Sequence, residues 1–281
     1  MARNAVVGRL RLASGLRRHR LSAGLTLDDV AQRLECSPAK VSRMETGAVG
    51  ANVQDVRAIA ELLGLGDAER ELMTELAREA RSRGWWQEFA DVVPAGSATF
   101  YGLEDGAARI EQHTTSLVPG LLQTRGYARA LLESASAAGS AVVERRLELR
   151  MRRQQVLSRQ DRPAVTVLLD EAVLHRPVGG LAVMAEQLSS LLAMSSASTV
   201  DLRILPFSAG AHASAGVGFS LFGFDDRVPP VVFAEQLSRN LFVDDPGEVQ
   251  IYRRSLMDST EKALAPEATR DMISGRLRAL R

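Results

Sequence analysis

Residues 25–47 read LTLDDVAQRLECSPAKVSRMETG, two short stretches of helical periodicity on either side of an abrupt break at ECSP. The break decides how this part of the chain folds. Thr26 stands where a helix N-cap belongs, and Asp28 and Asp29 follow in the first turn, where carboxylates complement the helix dipole. This predicts a helix over 27–34. Ser37 is a second capping residue and Pro38 a preferred first helical residue, so another helix is predicted from 38 to about 46, stopped by Gly47. Val30, Ala31, Leu34, Val41 and Met44 recur at helical spacing and can share one core. Pro38, Ala39, Lys40, Ser42 and Arg43 are then left on the outer side of the second helix, all small or cationic apart from the proline.

Working outward, Leu10, Ala13, Leu16 and Arg20 lie on one helical face upstream, with Gly24 as a stop. Downstream, Asn52 is placed to cap a fourth helix through 63, and Asp67 a fifth through about 81. Five short helices joined by turns of a few residues make a compact all-α domain over residues 1–81. Its charge is lopsided. Residues 1–43 carry nine Arg or Lys against three acids, whereas 44–81 carry four against eight, within a chain whose formal net charge is only +1. A basic face on a small acidic-backed unit suits a polyanion.

The match of Leu16, Arg20, Gly24, Leu25, Thr26, Ala31, Leu34, Ser37, Val41, Ser42, Glu45 and Gly47 at fixed spacing closely resembles the helix-turn-helix of the Cro/lambda-repressor type, the XRE family. The resemblance implies a lambda-repressor-like fold whose second motif helix enters the DNA major groove. By the same resemblance Lys40 and Arg43 contact bases or phosphates, Thr26 and Ser37 offer hydroxyls or backbone N–H groups to phosphates, and Pro38, Ala39 and Ser42 allow close approach. Arg20 and Glu45 take the place of the family's internal salt bridge, a structural role, and binding as a homodimer to double-stranded DNA is expected. Four positions depart from the pattern: Glu35 replaces the usual turn glycine, Leu27 a common glutamine, Ala48 a frequent basic residue, and His19 an apolar residue.

The composition shifts at SRGWWQEFADVVPAGSATFYG, and a second domain is expected over 82–281. An arginine-rich helix over about 141–159 precedes short runs rich in Val, Leu and Phe: AVTVLLD, TVDLRILPF, GVGFSLFGF and PPVVFAE. Helical patterns follow the first and the last of these. The order β-α-β-β-β-α predicts an α+β domain on one mixed sheet.

The set VPGLLQT with YARA, RRQQVL, LDEAVLHR, QLSSLL, ILPFSAGAH and VVFAEQ looks like the C-terminal domain of WhiJ-like regulators of actinobacteria, with His113 and Phe233 where tyrosine is common. That resemblance implies a transcriptional regulator on the antitoxin side of a toxin–antitoxin-like pair, its C-terminal domain binding a small acidic protein encoded by an adjacent gene. Arg150 and Arg153 are the expected contacts. The alternative is a one-component transcription factor whose C-terminal domain senses a small anionic metabolite between the sheet and the Arg150/Arg153 helix.

Other classes find less support in the residues. The single cysteine, Cys36, makes neither an internal disulfide nor a multi-cysteine metal site, and no apolar run reaches membrane-span length; a cytoplasmic, nucleoid-associated protein without membrane contact is expected. Glu171 and His175 at i, i+4 form a possible acid–base pair, but a metal site needs further ligands. His212 and Ser214 lie in a small-residue loop followed by a strand, without the Gly-x-Ser-x-Gly turn of a nucleophile elbow. No catalytic residue, metal or cofactor is expected, and the chain reads as a regulator and not as an enzyme.

Overall fold

The computed structural model describes residues 4–94, 96–135, 139–197, 199–224, 228–236 and 240–280. The chain divides into two compact units, Met1–Gln87 with Phe224–Pro229, and Glu88–Gly223 with Pro230–Arg281.

The first unit contains α1 (Ala5–Ser22), α2 (Leu27–Arg33), α3 (Pro38–Glu45), α4 (Val53–Leu62) and α5 (Asp67–Glu79). Local chemistry places most of the ends. Asn4 Oδ1 accepts from the N–H groups of Val6 and Val7 and caps α1. Thr26, Ser37 and Asn52 cap α2, α3 and α4 through their side-chain oxygens. Asp67 is the first residue of α5 and not its cap; Gly66 holds that position without a side-chain bond. Gly24 and Gly47 adopt φ of 70° and 71°, the left-handed conformation that ends a helix at little cost for glycine. Leu12, Leu16, Val30, Ala31, Val41, Met44, Val56, Ile59, Met73 and Leu76 form the core.

The second unit begins with α6 (Ser97–Gly106) and β1 (Arg109–Thr114), followed by α7 (Arg125–Ala135) and α8 (Ser140–Gln154). Then come β2 (Ala164–Asp170), a single turn α9 (Ala172–His175), α10 (Leu181–Ser196), β3 (Asp201–Leu205), β4 (Phe219–Gly223), β5 (Val231–Glu235), β6 (Asn240–Val243), α11 (Pro246–Glu261) and α12 (Pro266–Ala279). The strands form one sheet in the order β3-β2-β1-β4-β5-β6. The β1–β2 and β2–β3 pairs are parallel, crossed by helical connections, and the other three are antiparallel. The unit is thus α+β on a mixed sheet.

The β-α-β-β-β-α run expected from sequence is present as β2, α10, β3, β4, β5 and α11, with β6 inserted before the last helix. β1 is an addition, and it lies in the middle of the sheet. Its sequence, RIEQHT, is polar at five of six positions, which hides it from hydropathy. The sheet meets two of those groups in part: Gln112 Nε2 donates to Ser220 Oγ at 2.8 Å, and His113 Nδ1 lies 3.3 Å from the Leu168 carbonyl. Leu168, Phe219, Leu221, Val232 and Ala234 pack with Val249 and Leu256 of α11. On the opposite face, Phe100 of α6 meets Phe222 and Phe233 at ring distances of 5.8 and 4.4 Å.

Candidate functional site

In the first unit, Arg20 near the end of α1 grips Glu45 at the end of α3. Its Nε and Nη2 donate to the two carboxylate oxygens at 2.7 and 2.8 Å, and Nη1 donates to the Leu25 carbonyl at 2.8 Å. Both residues are 8% exposed. The hydrogen bonds to Glu45, opposed by burial and aided by its charge, hold the Arg20 guanidinium above its ordinary value. One side chain therefore ties α1, the turn before α2 and α3 together.

The turn between α2 and α3 closes with Cys36 N–H donating to the Ala31 carbonyl at 2.9 Å. Glu35 within it has φ of 50°, the one non-glycine residue with positive φ among those described. The turn thus retains the left-handed geometry that glycine usually supplies, with a side chain in place.

α3 presents Ser37, Pro38, Ala39 and Arg43 exposed, with Ser42 partly buried. Ser37 Oγ is occupied as the cap, accepting from the Lys40 N–H at 3.3 Å. Lys40 is half-exposed, and its Nζ lies 3.2 Å from Asp55 Oδ2 on α4. Thr26 is exposed, but its N–H and hydroxyl both donate to Asp29 Oδ2 at 2.7 Å. Those donors, from the backbone first, hold the Asp29 carboxyl below its usual range. Sequence reasoning missed both acids. The local pattern gives Asp29 only a helix-dipole role, and Asp55 is fifteen residues from Lys40, beyond any local pattern.

Arg150 and Arg153, expected as an exposed cationic surface, are instead turned toward α6 and the sheet. Arg153 Nε and Nη2 donate to the two oxygens of Glu104 at 2.8 Å each, with side-chain exposures of 11% and 3%. Its guanidinium lies 4.8 and 5.3 Å from the ring centres of Phe100 and Tyr101. Burial opposes its charge, yet Glu104's charge and hydrogen bonds outweigh this and leave its pKa raised. Arg153 therefore belongs to a buried ion pair and not to an exposed cationic surface, its partner acid lying 49 residues away in sequence. Arg150 Nη1 donates to Gln123 Oε1 at 2.8 Å. Arg145 and Arg159 also meet carboxylates, of Glu148 and Asp105, so much of the arginine run is consumed internally.

The two pairs weighed for acid–base chemistry are also placed. His175 Nε2 lies 3.4 Å from Glu171 Oε1, while Glu171 Oε2 accepts the Phe207 N–H at 2.7 Å. His212 Nδ1 lies 3.2 Å from Ser214 Oγ, but Ser214 is 1% exposed and its hydroxyl is shared with Ser259 at 2.7 Å. No group of three or more metal-capable side chains gathers among the described residues, and no helix among them is long and apolar enough to cross a membrane.

A capped two-helix motif, a tight turn and an outward α3 locked by a buried ion pair define a helix-turn-helix DNA-binding regulator. Residues 11–73 match the family model described as a helix-turn-helix domain. Residues 97–275 match that described as Domain of unknown function (DUF5753), and the chain belongs to that family. No curated protein and no solved structure matches it.

Proposed function

We propose that the chain is a sequence-specific transcriptional regulator in which residues 1–81 bind DNA and 82–281 regulate that binding. α3 lies in the major groove, as the XRE-type resemblance implies. The observation that carries this reading is Arg43, exposed on α3 beside the small residues Ala39 and Ser42 and without an ion-pair partner among the described residues. Its guanidinium has the reach for a guanine edge. Thr26, Ser37 and Pro38 line the approach to the backbone, and Lys40 joins once it leaves Asp55. A homodimer would place two half-sites about one helical turn, roughly 34 Å, apart. The expected location is the bacterial cytoplasm, on the nucleoid. Footprinting of the full chain on its own upstream region tests the reading; no protected site at moderate salt overturns it.

For the regulatory side, the internal pairing of Arg153 with Glu104 removes one of the two anchors expected for a small acidic partner protein in an antitoxin-like pair. Arg150 supports the other reading, a one-component regulator that senses a small anion. A stable complex with the adjacent small gene product, unaffected by small anions, would restore the partner reading.

A further inference from the structure

α8 directs two guanidinium groups toward α6 and the sheet, and only one of them meets an acid there among the described residues. Arg153 is matched by Glu104. Arg150, one turn earlier, has a single neutral acceptor, Gln123 Oε1. That amide is itself fixed by Nε2 donating to the Val118 carbonyl at 2.7 Å. Glu104 and Glu235 act on Arg150 only from beyond ion-pair distance, and burial, then the Arg153 charge, push its pKa down to about 10. A guanidinium carries five donors in a planar fork, and a half-buried charge with one neutral partner is costly until an anion completes it.

The sheet register adds a second observation. β1 runs parallel to β5 across β4, so that Gln112 is level with Phe233 and Thr114 with Glu235, on the face that Phe100 covers. On this face Gln112 Oε1 and Thr114 Oγ1 are buried with no hydrogen-bond partner among the described residues. Gln112 is 6% exposed. Of the two, the Thr114 hydroxyl can donate to an anion while the Gln112 oxygen only accepts, and Thr114 is level with Glu235, whose charge acts on Arg150 from a distance. They lie beside the junction of β1 with β4, where the sheet changes from parallel to antiparallel.

We propose that Arg150, oriented by Gln123 and held apart from Glu104 by Arg153, is the anchor of a small-molecule oxyanion site between α8 and the carboxyl ends of the parallel strands. The ligand class is a small carboxylate or phosphate. This rests on the sensing reading above and gives it a site. Arg153 and Gln123 are positioning residues; Arg150 touches the ligand.

The test uses the full-length chain, with sodium acetate and inorganic phosphate as separate probes against sodium chloride at equal ionic strength. A saturable rise in melting temperature of about 2–4 °C is expected with one of them at roughly ten times its Kd. The probe that acts distinguishes a planar carboxylate from a tetrahedral phosphate. Arg150→Met removes the rise, while Arg254→Met, at an exposed arginine of α11, keeps it. Arg150→Lys serves if the methionine variant does not fold; it keeps the charge, loses the fork, and weakens acetate binding more than phosphate binding. No rise over chloride with either probe, or an equal rise in the Arg150 variant, overturns the site. Footprints with and without the active probe separate the two readings: a saturable, Arg150-dependent rise with unchanged DNA occupancy supports the site and removes the sensor.

Discussion

Arg20 and Glu45 meet fork to fork at 2.7 and 2.8 Å, 25 residues apart in sequence and both 8% exposed. The pair holds α3 at a set angle to α1, and the angle determines which side chains α3 presents. Replacing Arg20 with Ala strands the Glu45 carboxylate and should cost about 3 kcal/mol or more. Chemical denaturation of the full chain, followed by a probe of the first unit, measures it. A change in DNA affinity without a change in stability would instead make Arg20 a phosphate contact.

Glu35→Gly should act in the opposite direction. A left-handed backbone costs a non-glycine residue about 1–2 kcal/mol, and glycine's extra unfolded-state entropy returns about half of that. A net stabilisation of about 0.5–1 kcal/mol is expected, visible as a higher denaturation midpoint at an unchanged slope.

Arg43 and Asp55 should have opposite effects on DNA. Arg43→Ala is expected to lose about 1–3 kcal/mol on the operator and less on unrelated DNA, if it reads a base. Asp55→Asn frees Lys40 from its 3.2 Å ion pair, so affinity should rise on all sequences. The log–log salt dependence should steepen by about one unit as one more phosphate is neutralised. Titrations at several salt concentrations distinguish the two roles.

Glu104→Gln leaves Arg153 charged inside the second unit with half its partner. A loss of about 3 kcal/mol is expected, against little change for a solvent-facing acid such as Glu133. Differential scanning calorimetry of the two variants makes the comparison.

His113 gives the second unit a pH dependence. Burial, only partly offset by the Leu168 carbonyl and joined by the neighbouring His212, holds its pKa below the ordinary 6.5. The unfolded chain therefore binds the proton first. Stability contributed by neutral His113 is full above about pH 6.5 and is lost as the pH falls from there through the folded pKa. His113→Gln keeps a donor toward Leu168 and should flatten the acid side of the stability profile, read from melting temperatures between pH 5 and 8.

The sequence by itself determined the helix-turn-helix. Thr26, Ser37, Pro38 and Gly47 act within one turn of themselves, and a cap or a stop needs no distant partner. The apolar runs of β2 to β5 were legible for a similar reason, because each is a short run in which Val, Leu, Ile or Phe recur, a local signal that needs no distant partner. Tertiary structure alone decided the rest. β1 is polar, and its place in the middle of the sheet depends on partners such as Ser220 and the Leu168 carbonyl, 108 and 55 residues from the Gln112 and His113 side chains they meet. Lys40 and Arg153 read as free cations until packing set Asp55 and Glu104 against them, and Arg150 became the unmatched charge by the same packing. Burial and charge pairing depend on which distant segments pack together, and no local period encodes that choice.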